Sequence, residues 1–240
     1  GMTAPITAHA PAGCLLNAVA PAATGARHMI GHYVTPLVFG ALAEAAPGAV
    51  MADCGMMNLI TVQGRHRDGR PVSTLYFAAG GFGALAGHDG PDVLPGPSNM
   101  AVVPVEVWET LTSTTLEYKQ LLPDSAGPGA ARGGLGQVFS MRNDTGSALT
   151  VFCMANRTEF EAVGFAGAGA GALRRVYRND EVLDPKGRHV LAPGDRLIVY
   201  EAGGGGFGAP CARPREAVAN DIAEGYLTEH SARERYGYVR

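Results

Sequence analysis

An α+β fold, with a mostly antiparallel β-sheet core and helices near the N- and C-termini, is what this sequence predicts. Three observations predict it. Apolar residues at helical spacing occur near the two ends, over residues 24–42 and past Pro214. Short alternating runs rich in β-branched and aromatic residues fill the middle. Turn signals at Asp68-Gly69, Asn143-Asp-Thr-Gly146 and Pro193-Gly194-Asp195 punctuate those runs. No internal repeat or linker divides the chain, so residues 1–240 read as one domain, with Gly1-Met2 a tag remnant outside the fold reasoning.

The elements follow in order. Thr24 is placed to cap a helix with Ile30, Val34, Leu37, Val38, Ala41 and Leu42 on one face. Pro36 should kink or split it, and Pro47-Gly48 should end it. Strands are expected over 49–53, 58–63 and 71–77, the last two paired as a hairpin about Asp68-Gly69. A proline-rich loop spans 92–98, a strand or short helix 102–112, and an extended segment 114–122. Residues 137–142 and 148–154 read as a second hairpin, closed by the turn at 143–146. Residues 172–177 and 196–200 add further strands. Pro214 suits a helix start, with Val218 and Ile222 inward and Gly225 as the stop. Thr228 caps a final helix that ends at Gly237.

Glycine accounts for 34 of the 240 residues, about twice the usual ~7 %. It concentrates in stretches at 79–90, 127–136, 164–171 and 203–208. Each surplus glycine costs ~0.5–1 kcal/mol of chain entropy, so the whole surplus costs on the order of 10 kcal/mol at most. That is comparable with the net stability of a domain. Such a cost points to special backbone conformations or close backbone approach, and so to sites or interfaces built from main chain. The expected substrate or interface loops carry Gly80, Gly81, Gly83, His88 and Gly90, then Gly133, Gly134 and Gly136, then Gly203, Gly204, Gly205 and Gly206.

Composition excludes several function classes. The net charge is −3 and no basic stripe is present, which argues against nucleic acid. No run approaches the ~18 apolar residues of a membrane span, and the N-terminus lacks a charged-then-apolar leader. Cys14, Cys54, Cys153 and Cys211 are far apart and form no C-x-x-C, so reduced thiols in a cytoplasmic protein are expected. Gly81-Phe-Gly83-Ala-Leu-Ala86 matches a dinucleotide fingerprint, yet Gly87, Gly90, Pro91 and Pro95 forbid the helix that must follow. No Walker-type loop exists, and Ser125 lacks the glycine two residues upstream that a nucleophile elbow needs. His28 and His32 stand four apart, a metal-like spacing without a nearby acid to complete it, so no metal site is assigned.

Two polar residues in the glycine stretches are the catalytic candidates. Asp89 could orient a substrate amide or act as a base; it could equally close an Asx-turn on its own backbone. Arg132 could meet a carboxylate or phosphate beside free N–H groups. The competing reading for Arg132 is a salt bridge to Asp124, with the neighbouring glycines allowing a tight fold-back.

With these residues in view, the chain resembles the C-terminal part of the hydantoinase B/oxoprolinase family. That family includes N-methylhydantoinase B, 5-oxoprolinase and subunits of acetone and acetophenone carboxylases. The similar stretches are 11–17, 21–27, 80–90, Val105-Glu106 with Glu109, 124–136, 193–195, 203–210 and 226–237, in family order. The resemblance implies a part in an ATP-dependent cyclic amidase that opens a lactam or imide ring, or in a related ketone carboxylase. It implies a hydantoinase A-type partner that binds ATP, and a divalent metal held in an N-terminal hydantoinase B half that this sequence does not span. No cofactor is expected on this chain itself; the expected substrate is a small cyclic amide or ketone, and the expected state an oligomer. The alternative is a non-catalytic module that serves assembly alone.

Overall fold

The computed structural model describes residues 7, 9–22, 27–98, 100 and 103–239. Strands β1 (Met57–Arg65) and β2 (Pro71–Ala79) form the hairpin expected about Asp68-Gly69, with Gly69 at φ +87°. They join β5 (Leu149–Met154) and β8 (Arg188–Leu191) in an antiparallel sheet of order β2-β1-β5-β8. A second antiparallel sheet runs β3-β4-β9-β6-β7. Its strands are β3 (Thr114–Leu121), β4 (Gln137–Asn143), β6 (Arg175–Arg178), β7 (Glu181–Val182) and β9 (Arg196–Tyr200). Alternation along the strands sends Ile60, Val62, Tyr76 and Val151 from one sheet, and Phe139, Met141, Val176, Leu197 and Val199 from the other, into a single core. Trp108 of α3 (Val105–Thr112) enters that core edge-on to Tyr76, with ring centroids 4.8 Å apart.

The helices lie where the sequence places them. In the N-terminal region α1 (Arg27–Gly31) and α2 (Val34–Leu42) split between Gly31 and Val34. Pro36 falls in the first turn of α2, where the missing N–H costs no helical bond. Thr24 lies outside the described residues. At the other end α4 (Arg215–Ala223) follows Pro214, and α5 (Glu229–Tyr236) is capped by the Thr228 side chain, which accepts from the Ser231 N–H. Gly237 closes α5 in the left-handed region.

The structure corrects three expectations. The turn at 143–146 does not close a hairpin, because β4 and β5 belong to different sheets. Asn143 makes a corner instead: its Nδ2 donates to the Ser147 and Leu191 carbonyls, and its Oδ1 accepts from the Thr145 N–H and hydroxyl. Its own N–H and carbonyl pair with Asp195 and Gly194 of the second corner, between β8 and β9. Residues 49–53 form no strand; Met51 makes a single bridge to Leu85. The strand expected over 172–177 begins only at Arg175, since Ala172 is bonded to Ser125 and Gly203.

Those last two segments belong to a layer formed at one pole of the sandwich. The starts of β1, β4 and β6 and the ends of β2, β3 and β9 all lead to that pole, where the four glycine stretches meet. There main chain packs directly on main chain. A Cβ on Gly81 would lie 1.8 Å from the Gly134 carbonyl oxygen, and one on Gly204 would lie 1.9 Å from that of Phe82. The stretches also bond to one another: the N–H groups of Gly134, Gly204, Gly127 and Gly206 donate to Phe82, Gly134, Gly204 and Gly169. The approach leaves no volume for side chains, which accounts for the glycine content.

Candidate functional site

At the edge of the glycine layer, a tight turn at 85–88 delivers Asp89: Leu85 and His88 exchange both backbone hydrogen bonds around Gly87, at φ +76°. The Asp89 carboxylate meets no Asx-turn. Its Oδ1 accepts from the Arg132 N–H at 2.7 Å and from Arg213 Nη1 at 2.7 Å, while Oδ2 accepts from Arg213 Nη2 at 2.8 Å. Arg132 is therefore brought to Asp89, as their shared place in the glycine stretches suggested. Its side chain turns the other way. Nη1 donates to Asp92 Oδ1 at 2.8 Å and to the Gly133 carbonyl at 2.9 Å, and Nε reaches Asp221 Oδ1 at 3.3 Å. The guanidinium also sits 5.1 Å from the Tyr226 ring centroid.

The result is a cluster of three carboxylates and two guanidiniums. Arg213 bridges Asp89 to Asp221 of α4, with Nε at 3.1 Å and Nη2 at 2.8 Å from Asp221 Oδ2. Asp92 also accepts from the Leu135 N–H. The Arg213 side chain is 3 % exposed, whereas that of Asp89 is 40 % exposed, so the cluster opens to solvent on the Asp89 side, beside exposed His88. Burial opposes the charge on Asp89, but the Arg213 fork and the Arg132 N–H outweigh it and hold the carboxyl below its ordinary value. For Arg213 burial likewise opposes the charge, and the facing Asp89 and Asp221 raise its pKa despite it.

The expected Arg132–Asp124 pair does not form. Asp124, at φ +61°, accepts from the Thr228 N–H and hydroxyl at 2.8 and 2.9 Å and so fastens the start of α5. The Arg132 donors that a substrate anion would need are already engaged within the chain. The predicted loop glycines Gly80, Gly81, Gly83, Gly90, Gly133, Gly134, Gly136, Gly203, Gly204, Gly205 and Gly206 are all buried and pack against neighbouring main chain.

Sequence reasoning missed Asp92, Arg213, Asp221 and Tyr226. Two signals could have found part of this set: Asp92 stands three residues beyond Asp89, and Asp221 lies three beyond Val218 on the inward face of α4.

A second charged group joins the layer to the sandwich. Arg174 and Glu201, both fully buried, form an ion pair that Asn58 completes by donating to Glu201 Oε1 at 2.9 Å. Arg174 also donates to the carbonyls of Gly55, Met56 and Asn156. A groove of about 420 Å³ lies nearby, lined by residues that include Asp124, Arg175, Tyr177 and Tyr200. Among the described residues no group of three or more His, Cys, Asp or Glu side chains could hold a metal. The described residues therefore compose no donor set for the divalent metal that the resemblance implies. The N–H groups of Gly133, Gly134, Gly203, Gly204, Gly205 and Gly206 are bonded inside the layer. Cys54 and Cys153 are buried thiols, pushed by burial up to about 11 and about 12, while Cys211 is exposed.

Comparison with known proteins gives this architecture a context. The family model described as hydantoinase B/oxoprolinase matches residues 1–210. The B subunit of a putative D-/L-hydantoinase of Pseudomonas sp. (strain NS671) is 27 % identical over 99 % of this chain and 41 % of its own length. The beta subunit of caprolactamase from Pseudomonas jessenii is 29 % identical over 95 % of this chain and 42 % of its own. Among solved structures, the ATP-dependent caprolactamase from Pseudomonas jessenii superposes with a TM-score of 0.72 at 22 % identity, covering 83 % of this chain and 37 % of that one. Nucleotide-free acetone carboxylase gives 0.66 at 23 % identity, covering 79 % and 30 %. The chain thus spans about two-fifths of the length of the curated relatives it matches.

Proposed function

This chain belongs to the hydantoinase B/oxoprolinase family, and on that premise we propose that it serves as one portion of an ATP-dependent cyclic amidase or ketone carboxylase. Its partners in this reading are an ATP-binding hydantoinase A-type subunit and an N-terminal hydantoinase B half, with a small cyclic amide or ketone as substrate. What supports the reading is the family match over residues 1–210 together with relatives named as subunits of such enzymes. ATP and a divalent metal belong to the other parts of the assembly in this reading, and no step passes through them on this chain. Asp89 and Arg132 act as positioning residues. Arg132 locks the second glycine stretch to Asp92 and α4, and Asp89 presents its open carboxylate edge where the cluster meets solvent.

The reading is tested by mixing the chain with an A-type partner, the N-terminal half and a hydantoin, 5-oxoproline or ketone, and following ATP hydrolysis. Substrate-dependent hydrolysis by the mixture, and none by this chain alone, is the expected result. Asp89→Asn and Arg132→Lys should each slow turnover at least tenfold. The assembly-only alternative draws support from the engaged guanidinium donors and the inward-packed glycines. Stable association without any substrate-dependent hydrolysis would favour it.

A further inference from the structure

Helix α2 reads Val-Thr-Pro-Leu-Val-Phe-Gly-Ala-Leu, without one charged residue, yet none of its residues is buried. A helix that is apolar all round is normally enclosed by protein. Here Phe39 and the preceding Tyr33 rest, as Phe82 does, on Met51, Cys54 and Met56, which fixes one side of the helix to the glycine layer. The other side carries Leu37 at 67 % exposure and Val38 at 49 %, flanked by Val34 and Leu42. At the start of the helix opens a cavity of about 400 Å³ whose lining combines Tyr33, Ala155 and Phe160 with the charged Arg157, Glu159 and Lys186, and Phe160 is itself 80 % exposed. The patch amounts to on the order of 500 Å² of apolar surface, the upper end of what a monomer usually shows.

We propose that this face of α2 and the adjoining Tyr33–Phe160 cavity form the docking surface for the portion of a hydantoinase B-type subunit that this chain does not span; this rests on the family reading above. Two observations select that occupant. The chain covers only about two-fifths of its curated relatives, so most of such a subunit must meet it somewhere. The patch also has the wrong size for self-association. Two copies face to face would bury ~1,000 Å², below the ~1,200–2,000 Å² of a stable complex. As one piece of a contact between domains of a subunit, typically ~600–1,500 Å², it fits. The absence of charge on α2 calls for an apolar facing element.

The probe is the segment of the Pseudomonas jessenii caprolactamase beta subunit that lies outside its alignment with this chain. Immobilised wild-type chain should capture it, and the probe should slow amide hydrogen exchange over 34–42. The Leu37→Asp/Val38→Asp double variant, whose changes lie on exposed positions, should bind at least tenfold more weakly with an unchanged circular dichroism spectrum. Leu75→Asp, an exposed apolar position on the outer face of β2, should bind normally. Absence of capture by the wild type, capture equal in the double variant, or a wild-type dimer in light scattering that the double variant abolishes would each overturn the proposal. Capture with α2 protection but without ATP turnover would leave the docking surface standing and remove the catalytic reading; turnover without α2 protection would do the reverse.

Discussion

Substituting Gly204 by alanine tests whether main-chain packing holds the pole of this fold together. The added Cβ would lie 1.9 Å from the Phe82 carbonyl oxygen and 2.4 Å from its carbon, where ordinary contact begins at 3.4 Å. Both groups are backbone, so no side chain can swing aside, and the stretches must part by about 1.5 Å at that point. Three hydrogen bonds cross the place: Gly204 N–H to Gly134, Gly134 N–H to Phe82, and Gly127 N–H to Gly204, at 2.9, 2.7 and 2.8 Å. At ~1 kcal/mol net each they represent ~3 kcal/mol. Overpacking strain adds ~1–3 kcal/mol, and the stiffer unfolded chain returns ~0.4–1 kcal/mol. A net loss of ~3–5 kcal/mol follows, a large share of the ~5–15 kcal/mol that holds a domain together. Urea unfolding followed by circular dichroism should show a lower midpoint at unchanged slope, and Tm should fall by ~6–20 °C. Gly48→Ala is the control, because nothing lies within 4 Å of its Cβ position; it should be neutral or slightly stabilising. A loss below ~1 kcal/mol for Gly204→Ala, or equal effects at the two positions, would refute the argument.

The charged cluster supports two further expectations. Arg213→Ala leaves Asp221 and Asp89 without their shared partner and should cost ~3–5 kcal/mol in urea unfolding, as breaking a buried pair does; an unchanged midpoint would mean that the cluster contributes no stability. The depressed carboxyl of Asp89 makes acid the second probe. A group held below its ordinary value contributes stability above the unfolded pKa of ~3.9, and that contribution disappears as pH falls through the folded value. Midpoints taken between pH 7 and 3 should therefore drop below about pH 4, with a smaller drop in Asp89→Asn, and parallel curves for the two proteins would contradict the assignment.

How far the sequence discloses this molecule depends on the range of the forces involved. The Asp68-Gly69 hairpin, the Thr228 cap and the Gly237 stop are local, each decided by a few neighbouring residues, and each forms as expected. The turn at 143–146 is just as local, yet it cannot say whether the strands it joins will pair, because that is decided by Leu191 and the 192–195 corner far along the chain. Strands β7 and β8 escape notice because they are too short to show alternation. The site divides the same way. Asp89 and Arg132 are singled out by their glycine neighbours, but the guanidinium that links Asp89 to Asp221 is that of Arg213, which is 124 residues from Asp89 and announced by no motif. The glycine surplus correctly points to close backbone approach; that the stretches would approach each other was not readable from composition.

Phe82 shows how the glycine layer and the N-terminal helices depend on one another. It is the large side chain within Gly80-Gly-Phe-Gly83, and its backbone and ring face different tasks. The N–H donates to Pro91 and the carbonyl accepts from Gly134, which holds the layer beside Asp92 and Leu135. The ring packs against Met51, Cys54 and Met56, the cluster on which Tyr33 and Phe39 of the helical segment also rest. Phe82→Ala keeps the first set of contacts and removes the second. A fully buried phenylalanine costs ~3–5 kcal/mol on truncation; Phe82 is only half-buried and sits at the margin, so the loss should be smaller and local. Hydrogen exchange should quicken over 34–42 while β1, β4 and β9 keep their protection. Uniform quickening across all strands would show instead that α2 and the layer unfold as one unit, and that the ring supports the whole pole rather than the helix alone.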